Sequence, residues 1–417
     1  MQKTKNELTL VLFCTLIGAF SGIVFWLFLL LVSRGTWLLW DSVPAAISAS
    51  IWYPILVCTI GGVIIGLFRK KFGDYPEDMM RVFGRLKKEG TYPYKNMLVL
   101  IIAALLPLIL GASIGPEAGM VGIITALCCW AGDNLRFAGA QSSYYSRIGA
   151  EVSLSVMFRS PLFGILDVEE EMEEGDNIET SITKSMKIII YSLAIGGGFA
   201  AFTLLNKFVF EVSEAFPSFD VIHLSEGDIP MFPVYLFFGI LLGILFEGSE
   251  KGLEKLSEKI PPVISEGIAG LILGVTIAFL PMVKFSGEEQ MAELIIDFAS
   301  YAPLFLIAVS VIKVLLTNLC IQFGLKGGHF FPLIFAAVCL GYGIALMFFP
   351  GEANHAIFAA AVCASGTLGV SMKKPLAVSV LLLLCFPVRS LIWMIPASAI
   401  ASLAGKWLEK RKEIVHD

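Results

Sequence analysis

At 417 residues, 57% of them hydrophobic and only 16% charged, the chain is too apolar for a soluble globular protein of its size. Its mean hydropathy of +0.81 marks an integral membrane protein, with no soluble segment long enough to add a second fold. The formal net charge of -5 is unevenly laid out, and the eight cysteines all lie in apolar stretches without the spacing of a disulfide framework or a zinc site. Neither a metal nor a cofactor is expected.

Apolar runs of about 17–25 residues recur along the chain, which argues for membrane-crossing helices and against a barrel, whose strands would alternate over about 10 residues. The first run, residues 8–32, is too long for the apolar core of a signal peptide and no small-residue cleavage site follows it, so it is expected to be retained. After a second run at 51–68 come Arg69, Lys70 and Lys71, then Arg81, Arg85, Lys87, Lys88 and Lys95. The bias of Lys and Arg toward cytoplasmic loops places this segment in the cytoplasm, and the N-terminus, with Lys3 and Lys5, beside it.

Shorter apolar segments follow at 97–110, 120–130 and 145–158, and another begins at Pro161; short segments interrupted by Gly or Pro point to broken helices that end inside the protein. Residues 188–205 are long enough to cross. The stretch 209–230 carries Glu211, Glu214, Asp220, Glu226 and Asp228 with no Lys or Arg, and is expected outside.

In the second half, apolar segments are expected at 231–246, 267–280, 291–299, 304–320, 333–349, 356–370, 375–387 and 391–403, with a mixed-charge cytoplasmic loop at 247–259. The boundaries are a first membrane repeat at 1–208, an external acidic loop at 209–230, a second membrane repeat at 231–405 and a short basic cytoplasmic tail at 406–417.

Gly111 to Gly119 is a small-residue stretch between two apolar runs, with Glu117 its one carboxylate. Glycine lets a backbone approach a ligand closely, and Pro116 suits the first turn of a helix. Glu117 is therefore expected near a helix N-terminus inside the membrane, where N–H groups and the positive end of the helix dipole attract an anion and a carboxylate competes with it. A second Gly-rich break, Lys326-Gly327-Gly328-His329-Phe330-Phe331-Pro332, opens a helix in the other half. One such break per half suggests an inverted repeat with a binding site where the repeats meet, although glycine also serves plain helix packing.

These motifs make the chain resemble the CLC family of chloride channels and proton-coupled chloride antiporters, which holds anions on helix N-termini built from motifs written GSGIP, GxEGP and GxFxP. Gly115-Pro116-Glu117-Ala118-Gly119 is similar to the second, with Ala118 and Gly119 in place of Gly and Pro, and Gly328-His329-Phe330-Phe331-Pro332 is similar to the third. The run from Phe158 to Met172, ending Glu169-Glu170-Glu171-Met172, resembles the family's Phe-Asn-Ala-Pro-Leu-Ala-Gly run that ends in Glu-Glu-Met. At the first motif's place stands Gly73-Asp74-Tyr75-Pro76-Glu77, with no serine, and no tyrosine follows Tyr342.

The resemblance implies an all-α polytopic membrane protein, a CLC-like inverted repeat whose broken helices meet near the bilayer midplane, assembled as a homodimer with one pathway per subunit. It implies transport of a small monovalent anion, chloride foremost, coupled to counter-movement of protons. A passive anion channel, or an exporter of another anion such as fluoride, stands as the alternative. Glu117 would be the gate and proton acceptor, and Glu171, beside Glu170, the inner proton relay. Gly115, Pro116, Ala118, Gly328, His329, Phe330, Phe331 and Gly73 would line the anion. The partners are then the anion, protons and the lipid bilayer of the cell membrane, with both termini cytoplasmic and no nucleic acid. An enzyme is not expected.

Three polar groups in apolar surroundings complete the inventory. Glu151, Arg159 and Asp167 suggest a structural ion pair. Lys313 either raises the potential around a pathway or snorkels to an interface. His329 either faces the pathway, where its titration would tune transport, or packs as a neutral ring.

Overall fold

The computed structural model describes residues 2–89, 91–135, 148, 152, 155, 184–210, 212, 217–220 and 229–416. Among these the helices are α1 (Gln2–Trp37), α2 (Val43–Ile47), α3 (Trp52–Phe72), α4 (Met79–Glu89), α5 (Met97–Ile109), α6 (Glu117–Leu135) and α7 (Lys184–Phe208). The second half adds α8 (Phe232–Ser257), α9 (Pro262–Phe279), α10 (Glu288–Asp297), α11 (Pro303–Gln322), α12 (Phe330–Phe348), α13 (Ala353–Met372), α14 (Pro375–Leu381) and α15 (Leu391–His416). Nine helices among the described residues are long and apolar enough to cross a membrane.

The chain forms two compact units. One comprises Met1–Ile47, Phe68–Ile109 and Pro116–Ala215; the other comprises Ser48–Leu67, Leu110–Gly115 and Phe216–Asp417. The second unit thus recruits most of α3 and the short segment before Pro116 from the first half of the sequence.

In the first unit α1 lies along α7. Gly18 and Gly22 face the backbones of Ala194 and Gly198, so close that a Cβ on Gly18 would stand 2.0 Å from the Ala194 carbonyl oxygen. Helices surrounded by lipid gain little from apolar burial, and such small residues let their backbones come into contact. The amphipathic α4 turns Met79, Val82 and Leu86 inward and packs on α6, while Arg81 and Lys88 point out.

The core of the second unit is α12 and α13, apolar around their whole circumference and buried from Phe330 to Leu346 and from His355 to Val370. Around them pack α8, α11 and α15. Where α13 ends, Lys373 sits in the left-handed region (φ 58°) with its Nζ 3.1 Å from Glu409 and 3.5 Å from Glu247. Burial works against its charge, but the two carboxylates outweigh it and hold its pKa above the ordinary lysine value.

The expected loop at 247–259 is helical as far as Ser257, so α8 runs three turns beyond its apolar stretch. Glu, Lys and Leu are good helix formers, and a helix leaving the membrane needs no further apolar stripe.

Candidate functional site

The segment Gly111 to Gly115 is stitched into the second unit at each end and in the middle. The Phe285 N–H donates to the Gly111 carbonyl at 3.4 Å, Ser113 Oγ lies 3.0 Å from Thr317 Oγ1, and Gly115 and Gly328 exchange N–H···O bonds of 2.8 Å in both directions. Gly115 stands two residues before α6 and Gly328 two residues before α12, so the mutual pairing joins the leads into the two expected helix starts. The amides of Gly115 and Gly328 are spent on each other, and Pro116 has no N–H to offer.

The helix starts themselves lie where the glycines and prolines suggested. In α6 the first backbone bond runs from Met120 N–H to the Pro116 carbonyl, and in α12 from Leu333 N–H to the His329 carbonyl. The amides of Glu117, Ala118 and Gly119, and those of Phe330 and Phe331, therefore precede the helical ladders and belong to the anion-attracting end of each helix. Glu117 is the first residue of α6 and only 1% exposed. At Gly119 a Cβ would lie 2.5 Å from the Ala104 methyl of α5, so the bare glycine lets α6 and α5 approach closely.

Lys313 is fully buried and does not snorkel. Its Nζ donates to the carbonyls of Val283 and Phe285, 5.5 Å from the Phe335 ring centroid. Since Phe285 in turn holds Gly111, the ammonium anchors the loop that supports the Gly111–Gly115 segment. Lys313→Met is expected to leave two carbonyls without their donor and lower stability by about 1–3 kcal/mol, read as an earlier thermal transition in detergent.

His329 is half-buried, its ring 5.1 Å from Phe246 and 4.4 Å from Phe330. Gly73 has a left-handed φ of 103° and donates its N–H to the Arg69 carbonyl at 2.8 Å. That is the geometry of a glycine ending a helix, so its amide is engaged in closing α3. Glu170 and Glu171, with Glu151, Arg159 and Asp167, lie outside the described residues.

Among the described residues, Glu266 and Tyr92 are buried although the sequence reading did not single them out. Glu266, fully buried on α9, stands against the Gly62 and Gly66 face of α3, with Oε2 3.0 Å from where a Cβ on Gly66 would be. The signal available was a carboxylate one turn inside an apolar run, the same signal that singled out Glu117. Tyr92, in the linker between α4 and α5, is 1% exposed although its sequence neighbours are polar. Nothing local marks it.

Apolar crossings, Gly-broken helix starts and a buried carboxylate on one of them define a polytopic membrane protein suited to passing small anions. The sequence profile described as voltage gated chloride channel matches residues 61–406, and the chain belongs to that family, whose members are channels and transporters. The voltage-gated ClC-type chloride channel ClcB of Escherichia coli O9:H4 (strain HS) is 26% identical over 333 residues, covering 74% of this chain and 73% of that protein. Among solved structures, a slow cyanobacterial Cl-/H+ antiporter superposes with a TM-score of 0.76 at 16% identity, covering 97% of this chain and 98% of its own. A CLC-type fluoride/proton antiporter gives 0.72 at 18% identity, with 95% of each chain covered. These likenesses carry the fold.

Proposed function

We propose that the chain exchanges a small monovalent anion, chloride foremost, for protons. The observation that carries this reading is the buried Glu117 at the first residue of α6, directly after the segment held by the Gly115–Gly328 pairing. Deprotonated, the carboxylate competes with an anion for the amides at that helix start; protonated, it gives way. Each state of one site then excludes a state of the other, which is what couples the two fluxes. The amides of Ala118, His329, Phe330 and Phe331 supply donors without a full positive charge that would trap the anion.

By family resemblance Glu171, with Glu170 beside it, receives the proton on the inner side. The protein works as a homodimer in the cell membrane, with its basic segment after α3 and both termini in the cytoplasm.

A passive channel is the second reading, favoured by the likeness to ClcB, and a fluoride exporter is the third, favoured by the fold shared with the fluoride/proton antiporter. One assay separates them. In proteoliposomes a chloride gradient drives uphill proton movement if the fluxes are coupled, and a fluoride gradient does so better if fluoride is the substrate. Anion flux without proton movement at any pH overturns coupling; no flux of chloride, fluoride, bromide or nitrate overturns anion transport.

A further inference from the structure

The chain between α3 and α5 is strongly basic. Residues 69–95 hold eight Lys and Arg against four Asp and Glu, whereas the chain as a whole is net -5. Within this stretch α4 has two unlike sides. Met79, Val82 and Leu86 turn inward on α6, and the opposite side presents Arg81, Gly84, Arg85 and Lys88, at i, i+3, i+4 and i+7. Arg81 and Lys88 are exposed, and the Arg85 side chain keeps 41% of its surface exposed. Gly84 lies bare among them: a Cβ there would meet nothing within 4 Å.

Carboxylates do not fill this face. Asp74 pairs with Arg69, Glu77 accepts from Arg85 Nη1 at 2.9 Å, Asp78 precedes the helix and Glu89 ends it, so the stripe itself holds three cations and no acid. The stretch also begins and ends at the bilayer. The crossing helix α3 ends in exposed Lys70, Lys71 and Phe72, and α5 opens an apolar run whose Leu98 is 74% exposed. Cations around an open spot on a helix suit a phosphate group, as charge-assisted donors with room for its oxygens. Exposed apolar side chains at both ends of the stretch suit the acyl chains to which a lipid phosphate is attached. Free phosphate would use only the first of these features; a phospholipid uses both.

We infer that the Arg81, Gly84, Arg85 and Lys88 face of α4 binds the headgroup of an anionic phospholipid, with the phosphate seated over Gly84. Each Lys or Arg beside an anionic lipid surface strengthens binding roughly fivefold. The bare glycine lets the phosphate approach the helix between the cations. The attraction is electrostatic, so it weakens as salt is raised. It uses neither Glu117 nor the amides at the helix starts, and it stands whether or not the protein couples anions to protons.

The full chain, purified in detergent and stripped of lipid, is titrated with phosphatidylglycerol or phosphatidylcholine, and bound lipid is counted by native mass spectrometry. The unaltered protein should take up phosphatidylglycerol at a roughly tenfold lower concentration than phosphatidylcholine. Arg81→Gln/Lys88→Gln should lose most of that preference. Gly84→Leu keeps every charge and enters open space, yet should lose it too by covering the seat. Neither variant alters a buried side chain, so both should keep the thermal transition of the unaltered protein. Equal uptake of the two lipids overturns the site, and so does a preference that survives in both variants, which puts the lipid elsewhere on the chain. A preference lost in the double variant but kept in Gly84→Leu overturns the seat and leaves only a diffuse field. If inorganic phosphate, at constant ionic strength, displaces phosphatidylglycerol at an equal concentration, the face takes free phosphate and the lipid assignment is overturned.

Discussion

Glu117→Gln is expected to abolish proton movement in proteoliposomes while chloride continues to leak down its gradient. Glutamine has nearly the shape of a protonated glutamate but cannot ionise, so the position no longer cycles between competing with the anion and yielding to it. The burial of Glu117 in the first turn of α6 makes the effect large, because an ionisable group inside the membrane is costly to place and its charge meets the positive end of the helix dipole. Flux should also vary less with pH than in the unaltered protein. A variant that still drives protons uphill would remove Glu117 from the coupling step and return the burial of this residue to plain structure.

The second large effect concerns packing. Gly62 on α3 meets the backbone of Glu266 on α9, where a Cβ would stand 2.2 Å from the carbonyl oxygen. Backbone cannot move aside as a flexible side chain can. Gly62→Val is therefore expected to cost more than the roughly 1–3 kcal/mol of ordinary overpacking, and to separate α3 from α9 or prevent folding. Gly248 on α8 supplies the control, because a Cβ there meets nothing within 4 Å. Gly248→Ala should raise stability by up to about 1 kcal/mol through helix propensity alone. Monodispersity and thermal transitions in detergent compare the two directly; equal behaviour would show that the α3–α9 approach is looser than these distances imply.

Much of the fold was legible locally. A run of apolar residues must become a helix in lipid, because every backbone polar group has to be satisfied within the segment, and this holds for α7, α11, α12 and α13 regardless of neighbours. The starts of α6 and α12 were legible for the same reason: Gly and Pro interrupt the apolar runs just where each helix begins. The end of α8 was misjudged because charged residues carry no apolar period, yet Glu, Lys and Leu continue a helix readily.

The chain's own chemistry thus determined the membrane class, the family, the two broken-helix starts and the buried carboxylate at Glu117. Only the tertiary structure decided that the Gly115 and Gly328 amides bond each other, since that pairing joins residues from opposite halves of the sequence. It alone decided that Lys313 is tied to two carbonyls, that Gly73 closes a helix, and that Tyr92 and Glu266 are buried. The physical reason is common to all of them. Propensity and hydropathy act between near neighbours along the chain, whereas a polar group's partner, or its burial, is set by what the fold brings beside it.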